Sequence, residues 1–240
     1  MATFNGERYV AEQIESILPE LSGNDELVIV DDCSTDSTRN IIASFGDARI
    51  RCHPNERNRG IRFSFERAIS LANREFVVLC DQDDRWVPGR VGMLINTLEK
   101  TGAAVVSSNF TPVDGKGNAL ATHVSRLREA ASTRHVRNIA RIFVGRCAYY
   151  GCTMALRRRI VDLVLPIPSF VESYDLWIAL AANLTGSNAH LEADTVIRRL
   201  HGSNASLVPR SLPRKLWSRV ILARSIAVIM ARSRFRSTRL

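Results

Sequence analysis

The sequence predicts an α/β fold with a mostly parallel central sheet. Short apolar runs alternate with helical periodicity through about residue 110. The runs are uniformly apolar, as strands buried on both faces are. Two of them, "ELVIVDD" and "EFVVLCDQDD", end in clustered carboxylates, and doubly wound sheets bind ligands beyond the carboxyl ends of their strands.

Each element has its own warrant. Val10, Ile14, Ile17, Leu18 and Leu21 share one helical face. "ELVIV" follows as a buried parallel strand. In "STDSTRNIIASF" the Ser and Thr residues cap a helix whose face is Ile41, Ile42 and Phe45. "RIRCH" is a weaker strand, "GIRFSFERAISLAN" a helix, and "EFVVLC" a strand expected in one sheet with "ELVIV". "VGMLINTLEK" forms a helix after Pro88, and "AAVVSSNF" a fourth strand. "PVDGKGN" is a turn, and residues 120–150 read as a loop or insertion with a short helix. "GCTMALRR" is a strand, "ESYDLWIALAANL" a helix, and "DTVIRRLHGSNAS" a strand leaving into a polar loop. The end, "LPRKLWSRVILARSIAVIMARSR", is a basic amphipathic helix.

The 240 residues suffice for one domain with a substantial core, and 45% hydrophobic with 24% charged residues excludes a disordered chain. The net charge of +9 is almost all Arg, which genome base composition explains as readily as function. The charge is uneven: Arg210 to Leu240 holds nine Arg or Lys and no acid. Such a tail attracts phosphate. Five cysteines (Cys33, Cys52, Cys80, Cys147, Cys152) without a CxxC pair read as reduced thiols of a cytosolic protein. No secretory leader is visible, and no run reaches the ~18 apolar residues of a membrane span.

Asp81, Asp83 and Asp84 crowd like charges, a cost that falls if a cation sits among them. Residues i and i+2 of an extended segment point the same way, so Asp81 and Asp83 are expected to face one site. Carboxylates suit Mg²⁺ or Mn²⁺. A solvated acidic turn is the alternative.

Six pieces in order, "ATFNGERYVAEQIESIL", "VDDCSTDST", "NRGIRFSFERAI", "CDQDDRW", "YDLWIALAA" and "RRLHGSNAS", resemble the family 2 glycosyltransferases of the GT-A fold, and among them the bacterial rhamnosyltransferase-like members. The resemblance covers residues 1–206 and leaves 207–240 as the basic tail. It implies a single GT-A-type domain that moves a sugar from a nucleotide-diphosphate donor to an acceptor hydroxyl with inversion. The sugar would be rhamnose or another hexose. The acceptor would be a glycan or lipid-linked, in cell-envelope polysaccharide synthesis.

Position by position, the resemblance implies that Thr3 and Asn5 touch the nucleotide. It implies that Asp31 or Asp32 binds base or ribose, and that Asn58 and Gly60 line the nucleotide pocket. Asp83 would ligate a divalent cation, Mn²⁺ or Mg²⁺, and Asp81 would bind ribose or a metal-bound water. Asp175 matches the catalytic base, its basicity raised by burial near Leu176 and Trp177. Arg199 and His201 match the late Arg and His that face the diphosphate, with His201 a further candidate metal ligand. Trp86 and Trp177 would stack on a sugar or pack in the core. The tail would lie on an anionic membrane surface, keeping a cytoplasmic protein at the inner face of the cell membrane, or dock on the domain with a solvated Arg face.

The chain departs from the pattern twice. Relatives carry an apolar strand before "ATFN", and this first, central strand is expected to be missing. Before the late His, "IRRLHG" lacks the aromatic and Gln that the family often has. A nucleotide-binding but inactive transferase is therefore the alternative. A haloacid-dehalogenase-type phosphatase fits badly, because its DxD lies near the first strand. A nucleotidylyltransferase would need a basic Gly-rich N-terminal loop. No Walker A loop or GxGxxG occurs, and a nucleic-acid platform would need interleaved aromatic and basic residues rather than carboxylates.

Overall fold

The computed structural model describes residues 1–121, 124–146, 148–200 and 212–237. In chain order its strands are β1 (Ala2–Thr3), β2 (Leu27–Asp31), β3 (Ile50–Pro54), β4 (Phe76–Val78), β5 (Arg85–Trp86), β6 (Val105–Val113), β7 (Met154–Arg157) and β8 (Asn188–Arg199). The helices are α1 (Val10–Ile17), α2 (Thr38–Ser44), α3 (Ile61–Leu71), α4 (Arg90–Thr101), α5 (His135–Phe143), α6 (Arg158–Val164), α7 (Tyr174–Leu184) and α8 (Leu212–Ser237).

The strands form two sheets. One is parallel, in the order β1-β2-β3; the other is mixed, in the order β4-β7-β6-β8-β5. β2 is buried along its whole length, as an all-apolar strand covered on both faces must be. On α1, Val10, Ile14 and Ile17 are fully buried. α7 is apolar almost all round and buried from Trp177 to Asn183, the pattern of a helix enclosed by the core. Gly102 ends α4 in the left-handed conformation, φ 65°, which glycine adopts without a Cβ penalty.

Two expectations are corrected here. "ELVIV" and "FVVLC" do not share a sheet: β2 pairs with β1 and β3, while β4 pairs antiparallel with β7. The first strand is not missing but is two residues long. Ala2 pairs with Val30 and Thr3 with Asp31, and the Met1 ammonium donates to Val28 O at 2.8 Å. Continuing that register backward leads along Val28 and Leu27, which wall an apolar cavity of about 290 Å³. Val77 and Leu79 form its opposite wall, with Ile69 of α3 and Ile17 of α1 lining it too. The cavity lies between β2 of the parallel sheet and β4 of the mixed one, which share no ladder.

Candidate functional site

The carboxyl ends of β1, β2 and β4 converge. Asp31, fully buried at the end of β2, accepts Thr3 Oγ1 at 2.9 Å, Ser34 Oγ at 2.5 Å and Ser34 N at 2.9 Å. Asp32 accepts Asn55 Nδ2 at 2.7 Å, Arg59 N at 2.9 Å and Gly60 N at 2.7 Å. The two acids thus brace the loops expected to meet a nucleotide. Asn58 Oδ1 also accepts Gly60 N, at 3.2 Å. Gly60 has φ 84° where α3 begins, and the space around its Cα is open. Asn5, φ 46°, donates its N–H to Ser34 Oγ and accepts Thr35 N, both at 2.9 Å.

The acidic segment after β4 is not extended. Gln82 and Asp83 form a turn, so the two-residue alternation that aligned Asp81 with Asp83 does not apply. Asp84 folds back instead: ligand atoms of Asp81, Asp84 and Cys152 lie within 4.8 Å of one another. Desolvation, with Asp83 as the next cause, lifts the Asp81 carboxyl to about 6. Burial pushes Asp84 well above the ordinary carboxylate range, with Asp81 and Asp83 adding to it. Asp84 Oδ1 accepts Arg199 N at 3.1 Å. Its Oδ2 is buried without an N–H or O–H donor, the Cys152 thiol being the carboxyl's other hydrogen-bonding neighbour, and a cation would satisfy such an oxygen. The donor set therefore fits a divalent cation through its carboxylates, and the Cys152 thiol adds a softer ligand.

Asp175 joins this cluster from the first turn of α7. It accepts Leu176 N at 2.8 Å and the Ser173 hydroxyl, and burial raises its pKa. Its charge in turn raises that of Asp81. Neighbouring Tyr174 stacks on Phe65 with centroids 4.1 Å apart and places its hydroxyl 3.5 Å from Asp81 Oδ1. That hydroxyl also lies against Gly151, where a Cβ would overlap it. Trp86 and Trp177 are core residues, buried to 6% and 1% exposure, and Trp177 Nε1 donates to Val164 O at 2.8 Å.

Neighbouring arginines of β8 diverge, as adjacent strand residues do. Arg199 pairs with Glu12 and lies over the Tyr9 ring, 4.9 Å from its centroid. Arg198 lies over the Tyr150 ring at 4.4 Å, and its charge acts on Asp81, Asp84 and Asp175. The sequence points to Arg199 with His201, and gives no signal for Arg198. Nor does it mark Arg90, fully buried, which bonds Thr195 Oγ1 at 2.5 Å and Cys152 O at 2.7 Å. Desolvation lowers the Arg90 pKa to about 10. His201 lies outside the described residues.

Carboxylates at strand ends of both sheets, an arginine of β8 and an acid of α7 thus share one site in a domain of GT-A-type α/β architecture. The family model "Glycosyl transferase family 2" matches residues 1–164; the chain belongs to that family. It is 30% identical over 110 residues to the Escherichia coli UDP-Glc:alpha-D-GlcNAc-diphosphoundecaprenol beta-1,3-glucosyltransferase WfgD, covering 46% of this chain and 44% of WfgD. To the putative teichuronic acid biosynthesis glycosyltransferase TuaG of Bacillus subtilis it is 28% identical, covering 47% and 48%. The fold matches the crystal structure of S. aureus TarS 1-349 in complex with UDP-GlcNAc, with TM-score 0.70 and 19% identity over 95% of this chain and 64% of TarS. The matched part thus spans less than half of WfgD and TuaG.

Proposed function

We propose that this chain moves a hexose from a nucleotide-diphosphate donor to a hydroxyl of a glycan or lipid-linked acceptor in cell-envelope polysaccharide synthesis. The observation that carries the reading is the packing of the start of α7 on the Asp81–Asp84 turn, where the Tyr174 hydroxyl lies 3.5 Å from Asp81 Oδ1 and the charges of Asp175 and Arg198 act on Asp81. Residues 1–206 are the catalytic unit. Thr3, Asn5, Asn58 and Gly60 border the nucleotide, with Asp31 and Asp32 holding their loops in place. The names of WfgD and TuaG, an undecaprenol-linked acceptor and an envelope polymer, support the acceptor class.

In the reaction the acceptor oxygen bonds to the anomeric carbon from the face opposite the leaving group, which inverts its configuration. The bond from that carbon to the diphosphate oxygen breaks, and its electron pair leaves with the nucleoside diphosphate. Asp175 accepts the acceptor's proton, and a carboxylate made more basic by burial is suited to that task. Arg198 offsets the charge that grows on the diphosphate, an interaction stronger in the transition state than before it. Asp81, Asp83 and Asp84 would hold a Mn²⁺ or Mg²⁺ ion, which when bound supplies further charge stabilisation.

Titration of the full chain with a panel of nucleotide-sugars and Mn²⁺ tests the reading. Calorimetric binding should accompany release of nucleoside diphosphate on acceptor addition. Binding without release from any donor would leave a nucleotide-binding protein and overturn the transferase assignment.

A further inference from the structure

α8 buries one apolar face, with Leu222 and Ile229 in the core and Ile226 and Val228 packed against it, and leaves further large apolar residues in solvent. Ser218, Leu222, Ser225 and Ile229 are its buried residues, and Arg232 secures the far end by donating to Leu163 O at 3.0 Å and Pro166 O at 2.8 Å. Outward lie Leu216, Trp217 and Val220, at 70%, 60% and 56% exposure, followed by Ala223, Ala227 and Met230. Large apolar side chains exposed together mark an interaction site.

A second element extends this face. Val144, at the end of α5, is 58% exposed. Its neighbour Gly145 lies beside α8: a Cβ there would be 3.7 Å from Arg219 Nη2. Val136 on α5 is 84% exposed. The segments around α5 and α8 are themselves basic, with Glu129 and Asp162 at the borders of the first. Residues 130–161 and 210–240 contain no Asp or Glu, and Arg134, Arg137, Arg146, Arg224 and Arg234 are exposed. An apolar strip fringed by arginine matches an interface of acyl chains beneath anionic headgroups.

We propose that the exposed faces of α5 and α8 form one surface that docks on an anionic lipid bilayer. The surface rests on the proposed function only for its purpose, delivery of the site to a membrane-borne acceptor; binding itself needs no catalysis.

The test is flotation of the full chain with phosphatidylcholine vesicles, with and without phosphatidylglycerol. Binding is expected only with the anionic lipid, and high salt should reverse it. Trp86 and Trp177 are buried, so a blue shift in tryptophan emission on binding reports Trp217. The double variant Leu216→Glu, Val220→Glu should bind about tenfold or more weakly, with an unchanged melting temperature because both side chains are exposed. Asp175→Asn should bind as the parent does, which separates this surface from the transferase reading. Indifference to anionic vesicles at low salt, or undiminished binding by the double variant, overturns the proposal. So does a dimer that the double variant dissociates, which would make the face an interface between copies.

Discussion

Gln82 clasps the backbone of Phe4: its Oε1 accepts Phe4 N at 2.9 Å, and its Nε2 donates to Phe4 O at 3.0 Å. One amide side chain thus does what a strand neighbour would do, joining the segment after β1 to the turn after β4. Gly6 lies against the same side chain, with no room for a Cβ. The clasp connects two sheets that share no ladder.

Removing it should loosen both. Gln82→Ala leaves a donor and an acceptor of Phe4 to solvent, since both bonds are exposed, a loss of about 1 kcal/mol or less. Urea unfolding is expected to show that loss, and nucleotide affinity should fall with it. A variant as stable as the parent would mean that water replaces the clasp at no cost.

The cavity between β2 and β4 predicts a gain. Four β-branched residues added before Met1 would continue the β1–β2 register, fill apolar space and replace a buried ammonium with an amide. Each fully buried side chain contributes about 1.5–3 kcal/mol, opposed by about 1–2 kcal/mol per residue of backbone ordering. Ladder hydrogen bonds add to the gain, so melting temperature should rise by about 2–4 °C per net kcal/mol. Four Ser or Gly residues in their place should give no rise, and equal effects of both extensions would refute strand insertion.

His190 carries a pH dependence remote from the catalytic cluster. Its Nδ1 lies 3.0 Å from Arg128 O, which assigns the proton there, and Nε2 faces Tyr149 Oη at 2.8 Å and Asn188 Nδ2 at 3.0 Å. Desolvation, then the charges of Arg141 and His135, lower its pKa. The unfolded chain therefore binds more protons just below the ordinary value of about 6.5. The resulting stability is complete above that pH and is lost as pH falls toward the depressed folded value. Melting temperature should drop over this window, and His190→Gln should flatten the drop. An identical profile in the variant would assign it to other groups.

The order of helices and strands through residue 110 was legible because each has a clear period and an end signal. What sequence left hidden depends on contacts across the chain. β4 reads as a parallel strand, yet its partner is β7, some 80 residues on. Nothing local distinguishes an extended Asp81–Asp83 segment from a turn, and the turn is what brings Asp84 to Cys152. Asp175 was found through resemblance, whereas periodicity alone would make it an ordinary first-turn acid. α6, only seven residues in "RRIVDLV", is too short for helical periodicity to stand out.

Asp175→Asn keeps the shape and removes the base. Turnover should fall by about 10²-fold or more, with nucleotide binding nearly unchanged, since the proposed role of Asp175 is toward the acceptor rather than the nucleotide. Single-turnover kinetics beside calorimetry separate the two quantities. Normal turnover would move the base to another residue, Glu172 being the next candidate.

Arg198 and Arg199 are one residue apart, identical in type and opposite in direction, so a paired substitution divides their roles. Arg198→Met keeps the long apolar stem over Tyr150 and removes the charge that acts on Asp81, Asp84 and Asp175. Turnover should fall by about 10²-fold, the scale of losing one charge-stabilising group, and Asp81 should titrate higher because its attractive neighbour is gone. Arg199→Met breaks the pair with Glu12. Glu12 is 40% exposed and regains water when unpaired, so the cost should be about 1 kcal/mol or less of stability. Turnover should stay within a few-fold of the parent. The reverse ranking, with Arg199→Met inactive and Arg198→Met active, would return the diphosphate role to Arg199 and leave Arg198 as the counter-charge that keeps the acidic turn folded.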